Sequence, residues 1–79
     1  MKIPRNLSGK DLIKKLKKLG YEPTRQVGSH IRLPTTENGT HHITIPEHKP
    51  LKIGTLSSIL KDVAEHFKMT RDELLNLLF

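Results

Sequence analysis

Cysteine is absent from the 79-residue chain, and so is tryptophan. The first absence excludes disulfide staples and thiolate metal ligands, which fits a reducing compartment. Aromatic side chains are limited to Tyr21, Phe67 and Phe79, too few for the stacking platforms that grip single-stranded bases in many nucleic-acid-binding modules. No apolar run approaches the ~20 residues of a membrane-spanning helix. The opening Met1-Lys2-Ile3-Pro4-Arg5 lacks the ~7–15 apolar residues of an export signal, so the expectation is a soluble, cytoplasmic protein with no membrane partner. There is room for one domain, residues 1–79, and a chain of this size buries only about 60% of its unfolded surface, which leaves a small margin of stability.

Acidic residues are also few. Eight Asp and Glu stand against fourteen Lys and Arg, a formal net charge of +6. Residues 1–35 carry a balance of +7 and residues 36–79 one of −1, so the positive field belongs to the N-terminal half. A polyanion such as RNA is the natural partner of such a field. With aromatics scarce, its grip rests on phosphate contacts and shape.

What is present reads as an α+β fold. Ser8 and Asp11 form a capping-box pattern before Leu12, Ile13, Leu16 and Leu19, and Gly20 supplies a stop, so the spacing predicts a helix over about Gly9–Leu19. Its other side carries Lys10, Lys14, Lys15, Lys17 and Lys18, either as a solvated face or as a phosphate-binding one. Alternation then predicts three short antiparallel strands, about Tyr21–Val27, His30–Leu33 and Thr40–Ile45, punctuated by Gly28-Ser29 and by Asn38-Gly39. Pro23 lacks a ladder donor, so the first strand is expected to sit at an edge or to start with an irregularity. Ile31, Leu33, Ile43 and Ile45 face the core; His30, Arg32, His42 and Thr44 share the opposite face. Residues 46–50 read as a loop, after which Gly54-Thr55 introduces a second helix with Leu56, Ile59, Leu60, Val63 and Phe67 on one stripe. Thr70 and Glu73 cap a short last helix, whose leucines are either core or a docking surface. This order, helix, three strands, helix and a small extra helix, resembles double-stranded RNA-binding domains, with helices on one face of a three-stranded antiparallel sheet.

Histidine is plentiful, with five in the chain. His66 beside Glu65 reads as a surface residue, and adjacent His41 and His42 point to opposite faces of a strand. A zinc site from His30, His42 and His48 has no carboxylate or thiolate spaced to complete it, and no cofactor is expected. His30 follows a glycine and a serine, opens a strand on the uncovered face and shares that face with Arg32. An imidazole exchanges protons near neutrality, and RNA carries its own nucleophile in the 2′-hydroxyl. Cleavage then needs a base, an acid and positive groups around the phosphorane, which Arg25, Arg32 or Lys52 could supply. An ordinary phosphate or structural contact at His30 is the competing reading. Lys49, Lys52 and Thr55 mark a second candidate phosphate site at the start of the second helix, where Thr55 serves either the ligand or the cap.

Several phrases in this order resemble the HicA toxin family: Gly9-Lys10-Asp11-Leu12, Arg25-Gln26-Val27-Gly28-Ser29-His30, Ile43-Thr44-Ile45-Pro46 with His48, and Pro50-Leu51-Lys52-Ile53-Gly54-Thr55-Leu56. The resemblance covers about residues 7–65. It implies a ribonuclease acting on messenger RNA, neutralised by a HicB-type antitoxin, with DNA reached only through the antitoxin complex. It also implies that His30, after Gly-Ser, is the catalytic histidine, and the expected RNA contacts are Lys10, Lys14, Arg25, Ser29, Arg32, Lys49, Lys52 and Thr55. The alternatives are a non-catalytic module for structured RNA and, from the paired helices over residues 60–78, a helix-turn-helix.

Overall fold

Ser8 opens the first helix reciprocally: its hydroxyl accepts from the Asp11 amide at 3.0 Å, and the Asp11 carboxylate accepts from the Ser8 amide at 3.2 Å. The amide of Ser8 is the main reason the Asp11 carboxyl sits below its ordinary range. The computed structural model describes residues 3–79. In it α1 (Gly9–Leu16) buries Leu12, Ile13 and Leu16, and its last turn, Lys17–Leu19, tightens to a 3₁₀ helix ended by Gly20 at φ +81°.

Gly9 is required for a different reason. Its amide donates to the His48 carbonyl at 2.9 Å, and a β-carbon there would run into the Pro46 carbonyl oxygen. The helix therefore starts in direct contact with the segment leaving the third strand. We expect Gly9→Ala to destabilise the fold by about 1–3 kcal/mol, the usual cost of overpacking. Chemical denaturation measures this; an unchanged midpoint would mean that the two segments part freely.

The sheet contains β1 (Arg25–Val27), β2 (His30–Thr35) and β3 (His41–Pro46), antiparallel and in that order, so β1 is an edge. The expected first strand was too long. Regular pairing stops at Arg25, which faces Arg32; the Thr24 amide also donates to the Arg32 carbonyl, at 3.0 Å, so two residues oppose one as in a bulge. Before it, Pro23 has no donor and Tyr21 turns fully into the core. β2 in turn runs beyond its expected end and takes Pro34 into a central strand. The Pro34 carbonyl accepts from Glu22 at 3.2 Å, so the donor that proline lacks would point to the side where β1 has ended. The third strand lies one residue later than expected.

α2 (Ile53–His66) begins ahead of Gly54-Thr55, with Lys52 as its N-cap and no side-chain cap; Thr55 lies inside the first turn and does not cap it. α3 (Arg71–Leu78) carries the expected Thr70–Glu73 capping box. Three of its leucines are core: Leu74, Leu75 and Leu78 are all 0% exposed and join one continuous cluster with α1, α2 and the covered face of the sheet, while Leu77 stays exposed. Lys18 is exposed as expected and its Nζ also donates to the Leu77 carbonyl at 3.3 Å, while the half-buried Lys15 has its Nζ 5.9 Å from the centre of the Phe79 ring at the end of α3.

Candidate functional site

Gly28 and Ser29 alone connect β1 to β2, and Gly28 takes φ +59° at the first position of this two-residue turn, where a side chain would be strained. His30 is the next residue. Period-two alternation places it on the uncovered face, opposite Val27 on one neighbouring strand and Pro46 on the other. The next pair along the same face is Arg25 with Arg32, and Arg32 also faces Thr44. Arg25, Val27, His30, Arg32 and Thr44 line one shallow concavity of about 210 Å³.

The electrostatics of this concavity are one-sided. Directly opposed side chains on an antiparallel pair stand about 5 Å apart at Cβ, and like charges there are mutually destabilising. Arg25 and Arg32 are placed in this way, and no carboxylate is among the described residues that line the concavity. An anion between the guanidinium groups would relieve their repulsion and lie beside the imidazole. A phosphodiester fits this arrangement, since guanidinium donors match phosphate oxygens in pairs. Val27, 63% exposed, gives the same concavity one apolar wall.

The remaining expected contacts are distributed elsewhere. Lys10, Lys14 and Lys49 meet in a separate cleft of about 420 Å³ with Ser8, Asp11, Glu47 and His48. Lys10 and Lys14 also line a groove with Lys17, Pro23, Gln26 and Ile31. Lys52 and Thr55 stand at the start of α2, where the absence of a side-chain cap leaves first-turn amides open. Ser29 is exposed in the turn, and its carbonyl accepts from the Glu47 amide. His42 shares the open face with His30 but faces Pro34, four residues from the partner of His30, or roughly 13 Å along the strand. It does not complete the His30 site. Among the described residues, no three His, Cys, Asp or Glu are grouped to hold a metal ion, so the zinc arrangement of His30, His42 and His48 is not formed.

Two other histidines have structural partners that the sequence did not disclose. Burial pushes the Tyr21 phenol far above its ordinary pKa, with a smaller push from Asp62, so it stays neutral and donates to His41 Nδ1 at 2.7 Å. The other ring nitrogen of His41 is then left to donate to Asp62, at 3.2 Å. His66 stacks on His41 with ring centres 4.4 Å apart, and its Nε2 donates to the Glu37 and Gly39 carbonyls at 2.9 and 3.1 Å. His66 therefore fastens α2 to the β2–β3 loop, and the surface role expected for it is replaced by a structural one. Glu47 and Gln26, which tie down the turn before His30, also went unmarked, because contacts between residues 21 positions apart leave no local spacing signal.

A family model described as the HicA toxin of bacterial toxin-antitoxin matches residues 9–64. No curated protein and no solved structure matches the chain at a significant level. The matched region runs from the start of α1 nearly to the end of α2 and contains the whole concavity around His30.

Proposed function

The chain belongs to the HicA toxin family, and on that premise we propose that it is a metal-independent endoribonuclease that cuts messenger RNA, with His30 as general acid or base. Membership makes it a toxin of a toxin–antitoxin system, with RNA as the substrate class and a HicB antitoxin as the partner that its family implies. The observation that carries the catalytic reading is the concavity itself: one imidazole next to a cross-strand pair of guanidinium groups, with no carboxylate among its described lining residues.

In the reaction that this arrangement supports, the 2′-oxygen forms a bond to phosphorus while the bond from phosphorus to the 5′-oxygen breaks. The proton of the 2′-hydroxyl passes to a base, and the departing 5′-oxygen receives one from an acid. His30 fills one of these two roles. Arg25 and Arg32 hold the phosphate before the reaction and stabilise the added charge of the phosphorane during it. Lys10, Lys14 and Lys49 in their cleft, with Ser29 in the turn and Lys52 and Thr55 at the start of α2, bind flanking phosphates. The acidic antitoxin covers the His30 face or the basic first helix. No described helix is long and apolar enough to cross a membrane, and a cytoplasmic site of action follows from the messenger RNA substrate.

Labelled RNA incubated with the protein in EDTA should be cut to fragments ending in a 2′,3′-cyclic phosphate, and a strand with 2′-deoxyribose at the cleavage position should survive. Binding that weakens with salt while the RNA stays intact would replace this reading with that of a non-catalytic RNA-binding module.

A further inference from the structure

The turn that presents His30 receives little support from packing, since nothing lies within 4 Å of where a β-carbon on Gly28 would be. Its two carbonyl oxygens are nevertheless both engaged. Gln26 Nε2 donates to the Gly28 carbonyl at 3.0 Å, and the Glu47 amide donates to the Ser29 carbonyl. The same Gln26 nitrogen donates its other hydrogen to Glu47 Oε2 at 2.9 Å, while Glu47 Oε1 lies 3.8 Å from Lys10 Nζ on α1. Gln26 pairs with Ile31, so its side chain stands on the covered face of the sheet, opposite to the imidazole. The backbone is held from behind while His30 points forward.

We propose that Gln26 and Glu47 are positioning residues for His30: together they fix the Gly28–Ser29 backbone and so the place from which the imidazole reaches the phosphate. This rests on the reading that His30 acts on RNA. A mobile two-residue turn would scatter the imidazole over distances comparable to the tolerance of proton transfer, where a displacement of about 1 Å can cost about 100-fold in rate. Of the phosphate contacts only Ser29, one of several flanking ones, belongs to the turn; the guanidinium groups lie further along the strands and do not depend on it. Loss of the clamp should therefore lower kcat and leave KM almost unchanged.

Full-length Gln26→Ala, assayed on labelled RNA, is expected to show kcat reduced about 10- to 100-fold with KM within about twofold of wild type. In Gln26→Glu, the ionised side chain has no hydrogen to donate to the Gly28 carbonyl and recovers one only on protonation, so its rate relative to wild type should rise between pH 7 and pH 5. An unchanged kcat in the first variant, a rise in KM alone, or a flat ratio in the second overturns the proposal. Backbone amide relaxation at Ser29 and His30 supplies a reading that does not use activity: both amides should become more mobile in Gln26→Ala. If wild type leaves RNA intact, the catalytic reading of His30 fails, and this measurement alone decides the proposal, with unchanged mobility overturning it.

Discussion

RNA cleavage by His30→Ala should fall about 100- to 10,000-fold, the range over which a positioned acid or base contributes to proton transfer. The folded protein should be almost unaffected. His30 is exposed on the open face, and no described hydrogen bond or ion pair engages its ring, so truncation should shift stability by no more than about 0.5 kcal/mol. Two other histidines serve as controls of opposite kind. His42→Ala lies on the same face but away from the concavity and should cut RNA nearly as wild type does. His66→Ala loses its donors to the Glu37 and Gly39 carbonyls and its stacking on His41, so it should lose stability and keep the chemistry in the fraction that remains folded. Growth and RNA integrity followed together during induction of wild type and His30→Ala would decide the matter. Full cleavage by His30→Ala would remove His30 from the mechanism, and lost activity accompanied by unfolding would reassign it to structure.

A larger structural effect is expected at the other end of the chain. Leu75 is 0% exposed in α3, and replacing a fully buried leucine with alanine usually costs about 2–5 kcal/mol. A domain of this length has a total stability of about 4–12 kcal/mol, so Leu75→Ala alone can remove half of it. Deletion of residues 70–79 takes away Leu74, Leu75 and Leu78 together, roughly 5–9 kcal/mol of apolar burial, and should leave the chain unfolded. Circular dichroism through a thermal scan tests both. A truncated protein with an undiminished cooperative transition would show α3 to be an appendage, although it lies beyond the matched family region.

Local signals in the chain were strong wherever the structure is locally determined. Ser8 with Asp11 and Thr70 with Glu73 marked helix starts, because a capping box needs only one turn of backbone. Gly28-Ser29 and Asn38-Gly39 marked the hairpins, because positive φ is a property of one or two residues. Errors arose where distant segments compete. Tyr21 reads as a strand residue until the hydrophobic core takes it in, and the second strand reads as ending at Leu33 until β1 ends early and lets Pro34 join it without a donor. Thr55 reads as a cap, yet Lys52 already takes that position.

The sequence by itself determined the α+β order, the charge asymmetry, the catalytic candidate His30 and the family phrases around it, since each is carried by neighbouring residues or by simple alternation. Alternation already set Arg32 on the face of that imidazole, but only the tertiary structure decided which other cations accompany it. Register sets Arg25 against Arg32 beside His30 and moves His42 four residues away, while α1 carries Lys10 and Lys14 into a different cleft with Lys49. The same packing turned Leu74, Leu75 and Leu78 of α3 into core and two histidines into structural ties. Proximity across strands and between helices depends on register and on which apolar faces meet, and neither is contained in the spacing of residues along one segment.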